Sequence, residues 1–249
     1  MPSRYPFPWK TGFLILLDSL VLRSRSFRED AQTIESLLSQ PPRIINRKNI
    51  PMQGPCLLVM NHYSQPDFGA WWIALSIANA VPVDIHWLMT AAWTFPNQPL
   101  LKPLIPVTYW LFSRTAQIYG FTNMPPMPPD PNQIQNRANA VRLALRSAST
   151  TQDPVIALAP EGRDYPGGIL GAPPPGVGRF ITKLVKHCQK IIPIGVYEED
   201  QCLCLCFGEA FSIDLDERNS KETLDVSVSR QVMEAIAQQL PSNLRGEYS

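Results

Sequence analysis

The sequence predicts an α/β fold, a mostly parallel central sheet flanked by helices, preceded by an N-terminal helical segment over residues 1–40. Three observations carry this. Short, wholly apolar runs bounded by glycine and proline recur along the chain and read as buried strands. Amphipathic stretches of helical length alternate with them, the pattern of strand–helix–strand units. Two polar loops follow buried strands, at the edge where α/β sheets collect their ligands. The chain has 249 residues, 45% hydrophobic and 17% charged. That suits one core, and residues 41–249 are expected to form a single domain because no linker divides them.

Gly12–Arg23 and Glu29–Ser39 read as helices, the second stopped by Pro41-Pro42. "CLLVM" (Cys56 to Met60), following Gly54-Pro55, is a buried strand. Pro66 to Ala80 reads as a helix, "DIHWLM" (Asp84 to Met89) as a strand and "AQIYGF" (Ala116 to Phe121) as another. The loop "NMPPMPPDPN" (Asn123 to Asn132) has too many fixed φ angles for helix or central strand and reads as a rigid connector. Ile134 to Ser149 is an amphipathic helix. "VIALA" (Val155 to Ala159), Gly178 to Lys190 and "IIPIGVY" (Ile191 to Tyr197) then read as strand, helix and strand.

The proline-broken apolar stretch "LLKPLIPVTYWLF" (Leu100 to Phe112) is expected in the core. "CLCLCF" places Cys202, Cys204 and Cys206 on one face of a strand, as small core residues. Five cysteines and no secretory pattern argue against a disulfide framework. The net charge of +1 excludes a global field for nucleic acid.

"GFLILLDSLVL" (Gly12 to Leu22) is interrupted by Asp18 and is shorter than the ~20 residues a bilayer span needs. With Phe7 and Trp9 before it and Arg23, Arg25 and Arg28 after it, this segment suits a membrane interface. A helix packed on the core is the alternative.

The first polar loop reads Asn61-His62-Tyr63-Ser64-Gln65-Pro66-Asp67. Ser64 and Asp67 have the spacing of a helix cap. The same turn can set the Asp67 carboxylate beside the His62 imidazole, fixing its tautomer and leaving the other nitrogen as a base. No serine lies in G-x-S-x-G, and no cysteine has an activating neighbour, so a covalent nucleophile is not indicated. The second loop, "APEGRDYPGG", sets Glu161 and Arg163 in a glycine-rich turn whose N–H groups can face an anion.

Together the loops resemble the glycerolipid acyltransferase family, the PlsC-like lysophospholipid acyltransferases. The N-H-x4-D pattern ends in Asp67, Pro160-Glu161-Gly162 follows a strand, and Pro193 sits in a later apolar run. Order and separations agree from about Pro41 to Phe211. The resemblance implies an O-acyltransferase of phospholipid biosynthesis. His62 would be the general base oriented by Asp67, and the acceptor hydroxyl would attack the thioester directly, with no acyl-enzyme, metal or cofactor. The co-substrate would be acyl-CoA or acyl-ACP (the acyl carrier protein). The other partners would be a lipid acceptor and a membrane surface, and the location the cytoplasmic face of a membrane. Asn61, Glu161 and Gly162 would shape the acceptor site.

The pattern is broken at two places. No positive charge occurs from Gly120 to Pro129, where the family carries a phosphate-binding arginine, and Arg163-Asp164 stands where the family's third motif runs E-G-T/S-R. Arg114, Arg179 and Lys183 are the substitutes at hand, and the displaced Arg163 can still hold one anionic group. A phosphate losing a bidentate arginine is held less well, so a less charged hydroxyl lipid becomes an alternative acceptor. A thioesterase using the same base and a non-catalytic lipid-binding protein are the rival readings.

Overall fold

The computed structural model describes residues 4–95, 98–213 and 220–249; residues 1–3 of the predicted N-terminal segment lie outside them. The helices are α1 (Trp9–Val21), α2 (Phe27–Glu35), α3 (Trp71–Ala80), α4 (Ile105–Tyr119), α5 (Ile134–Thr150), α6 (Val177–Cys188) and α7 (Lys221–Ala237). The strands are β1 (Arg43–Ile45), β2 (Cys56–Met60), β3 (His86–Thr90), β4 (Thr122–Met124), β5 (Val155–Leu158), β6 (Lys190–Glu199) and β7 (Cys202–Phe207). They form one seven-stranded sheet in the order β1-β7-β6-β2-β5-β3-β4. Among the described strands only the β6–β7 hairpin pairs antiparallel, so β1 and β7 run against the other five.

The apolar run of β2 has its reason in this order. The strand lies between β6 and β5, and all five of its residues are buried. Pro193 sits inside β6, which a proline normally avoids. Its missing N–H falls between the last antiparallel pair, Ile194 with Phe207, and the isolated bridge of Ile191 to Phe211. Cys204 and Cys206 are buried on β7 as expected, and Cys202 is half-buried. A second apolar cluster of Ala31, Ile34, Trp72, Leu75 and Ala78 joins α2 to α3.

Four sequence expectations change. Pro66–Ala70 is not helical: α3 begins at Trp71 without a side-chain cap, because Asp67 takes a left-handed φ of 66° that ends any helix there. Ala116–Tyr119 is the last turn of α4, not a strand. Gly120 closes it at φ 70°, Phe121 N–H returns to Ala116 O at 2.8 Å, and the strand starts at Thr122. The prolines near residue 100 precede or open α4 rather than break it, since Pro106 lies in its first turn.

The stretch expected in the core is not there either. Leu104, Val107 and Trp110 are exposed and Leu100 is 92% exposed. α4 packs against α1, whose polarity is inverted: Thr11 and Ser19 face inward while Phe13, Leu17, Leu20 and Val21 face outward, with Trp9 77% exposed.

Asp18, which interrupts the apolar run of α1, pairs with Arg25, and Arg25 also binds Asp30 of α2 (Nε to Oδ2, 2.8 Å). Arg28 donates to Pro82 O at 2.8 Å. Two of the three arginines of the expected basic flank are thus consumed inside the fold. Among the described residues no helix is long and apolar enough to cross a membrane.

Candidate active site

β2 and β5 are neighbours and parallel, so the loops leaving their carboxyl ends meet at one edge of the sheet. Asn61 fastens the first loop. Its side-chain amide pairs with the backbone of Val196 on β6, accepting from N–H at 2.7 Å and donating to the carbonyl at 2.8 Å. That places His62 one residue past the end of the sheet.

The His62 backbone N–H donates to Glu161 Oε2 at 2.6 Å, and Gly171 N–H donates to Glu161 Oε1 at 2.7 Å. Glu161 is 1% exposed. Burial pushes its carboxyl from 4.5 up to about 7, against the two backbone donors that favour its charge. Glu161 is a bridge under the loops rather than a group at their surface.

Two further bonds join the loops: Ser64 Oγ to Asp164 Oδ2 at 3.2 Å, and Gln65 Nε2 to Gly167 O at 3.0 Å. The ring of Tyr63 lies where a Cβ on Gly168 would stand, 2.6 Å away, so only glycine permits this approach. Tyr63 in turn donates to Glu198 at 3.2 Å.

The imidazole itself is almost unengaged. His62 Nδ1 is buried without a hydrogen-bond partner. Burial lowers the pKa of His62, and the charge of Asp164 opposes that shift. The ring is therefore neutral at neutral pH, the state a base requires.

The structure brings His62, Glu161, Gly162 and Asp164 together. It does not join Asp67 to His62: Asp67 is exposed in its left-handed turn and makes no hydrogen bond or ion pair with another described residue. The predicted capping bond of Ser64 is also absent, since that hydroxyl goes to Asp164.

Gly162 takes φ 65° in a turn closed by its N–H to Ala159 O at 3.1 Å. The Arg163 guanidinium lies over the Tyr165 ring, 4.7 Å from its centroid. Arg179 is exposed in the first turn of α6, where its N–H and that of Gly176 donate to Asp225. Arg114 lies over Trp110 on α4. Neither makes a hydrogen bond or ion pair with the histidine loop.

Sequence reasoning missed the part Asp164 plays. The signal was a carboxylate three residues past Glu161, where the resembling family has a cation.

A histidine at the carboxyl edge of a mostly parallel sheet, its backbone clamped by a glutamate from the adjoining strand's loop, is the centre of the candidate site. The sequence profile of a family described as Acyltransferase matches residues 42–197, well over half of the chain. The chain belongs to this acyltransferase family and is an acyltransferase. Its fold is similar to the crystal structure of the 1-acyl-sn-glycerophosphate (LPA) acyltransferase PlsC from Thermotoga maritima. The TM-score is 0.52 at 14% identity, covering 91% of this chain and 88% of that one. No curated protein sequence matches the chain significantly.

Proposed function

We propose that the protein transfers a fatty acyl group from acyl-CoA or acyl carrier protein to a hydroxyl of a lipid, with His62 as the general base. The observation that carries this is the clamp: Glu161 grips the backbone of His62, while burial favours the neutral imidazole and its Nδ1 has no hydrogen-bond partner.

In this reading His62 takes the hydroxyl proton as the oxygen attacks the thioester carbonyl. The tetrahedral intermediate then expels the thiolate, which leaves with that proton. The unpartnered Nδ1 is the atom a carboxylate would orient, and Asp67 is the residue the family pattern assigns to it. Asn61 and Glu161 hold the loop, while Gly162 and Arg163 border the acceptor. Purified protein given labelled acyl-CoA and total lipid should form a labelled ester. Free fatty acid appearing equally without lipid would instead make it a thioesterase.

The same proposal places the enzyme peripherally on the cytoplasmic face of a membrane, held by the exposed apolar faces of α1 and α4. Apolar surface of this extent on a soluble protein marks an interaction site. Because Arg25 and Arg28 are engaged internally, apolar insertion should outweigh charge in this contact. Trp9→Glu with Leu17→Glu should therefore abolish flotation with liposomes, and salt should weaken wild-type flotation only slightly. Flotation unchanged in the double variant would assign the contact to another surface.

A further inference from the structure

A cavity of about 210 Å³ lies on the same edge of the sheet as His62, beyond the carboxyl ends of β3 and β4. Strand order sets its place. His62 follows β2, Glu161 follows β5, and the cavity comes next along the edge. At the usual strand spacing it is on the order of 10 Å from the histidine. The loop leaving β4 connects the two, because Met127 packs over Gly162, with Cγ 3.1 Å from where a Cβ would stand.

The walls include Tyr109 and Ser113 from α4, Asn123 from β4, and Gln133 and Asn136 at the start of α5. No lysine, arginine, histidine, aspartate or glutamate is among the lining residues. Two arginines directly follow lining residues in sequence: Arg137 turns instead to Pro126 O at 3.2 Å, and Arg114 lies over the Trp110 ring.

Asn123 gives the cavity its chemistry. Its Nδ2 donates to Phe112 O at 3.1 Å, which fixes the orientation of the amide, since the reverse would set two carbonyl oxygens together. Oδ1 is then buried with no hydrogen-bond partner. A buried carbonyl oxygen without a donor is costly. Once the side chain turns Oδ1 toward the cavity, a hydroxyl can supply that donor, whereas a phosphate at neutral pH brings mainly acceptor oxygens and charge.

We propose that this cavity takes an uncharged, hydroxyl-rich headgroup of the acceptor lipid, such as a sugar, and so selects against phosphomonoester acceptors. The proposal rests on the acyl-transfer reading and specifies its acceptor. The approximate 10 Å reach suits a headgroup extending about one ring beyond the acylated hydroxyl.

The test offers equal amounts of a glucosyl monoacylglycerol and lysophosphatidic acid in mixed micelles with labelled acyl-CoA. The glucosyl lipid should be favoured at least about tenfold in kcat/KM, one charge-scale hydrogen-bond difference. Asn123→Leu should raise KM for the glucosyl lipid about tenfold with a smaller change in kcat and none in KM for acyl-CoA. Ser113→Phe, on an exposed stretch of α4, should fill the cavity with the same effect and guards against misfolding of the first variant.

Lysophosphatidic acid winning the competition would overturn the assignment, and Arg137→Ala abolishing that preference would identify a phosphate site in its stead. Both variants leaving the acceptor KM unchanged would also overturn it. Wild-type enzyme acylating no lipid at all would refute the acyl-transfer reading itself, and this assignment with it.

Discussion

His62→Ala is expected to lower acyl transfer by about 10²–10⁴-fold, the usual contribution of a general base. Its melting temperature should be nearly unchanged. The side chain makes no hydrogen bond through Nδ1, and the loop is held through the backbone N–H of this residue, which alanine retains. Loss of activity with loss of fold would show that the ring is a packing element. Transfer at more than half the wild-type kcat would remove His62 from the chemistry altogether. Asp67→Asn separates orientation from structure: its carboxylate holds no other described residue, so any loss of activity should come without loss of stability.

Glu161→Ala is expected to be the most damaging single change to the site. It strands two backbone donors, His62 N–H and Gly171 N–H, in a closed space, each costing about 1–3 kcal/mol. Both loops should loosen, so activity falls together with stability.

The bridge also makes stability depend on pH. In the folded protein its carboxyl is raised from 4.5 to about 7, so between those values the native state holds a proton that the unfolded chain has released. Its contribution is complete below the unfolded pKa and is lost as pH rises through about 7. At the full shift the loss is about 3 kcal/mol at most. His62 and His86, both lowered by burial, act in the opposite direction as pH falls. The difference between wild type and Glu161→Gln isolates the glutamate. Urea unfolding from pH 5 to 8 should show the wild-type advantage shrinking. A constant difference would mean the carboxyl is ionised throughout.

Much of this protein was legible in residue order. The continuous apolar run of Cys56–Met60 can satisfy its side chains only inside a sheet, and it lies there between β6 and β5. The helical period of Ile134–Ser149 predicted α5 to within one residue. Both failures near residue 120 came from reading hydrophobicity without its termination signals. Gly120 is a helix stop at positive φ, and Pro106 is a first-turn residue, so a single helix runs between them. The N-terminal segment was recognised as apolar, but its inverted orientation depends on Asp18 finding Arg25 in the following turn.

The sequence by itself determined that a histidine would end one buried strand and a glutamate another, because local propensity and apolar period are properties of short segments. Tertiary structure alone decided what those residues meet. The adjacency of β2 and β5 turns Glu161 into a clamp on the histidine backbone 99 positions away. A left-handed turn sends Asp67 outward, and the pairing of Ser64 with Asp164 brings a different carboxylate to bear on the imidazole. Charge acts through distance in space, which the order of residues along a chain does not specify until the sheet is assembled.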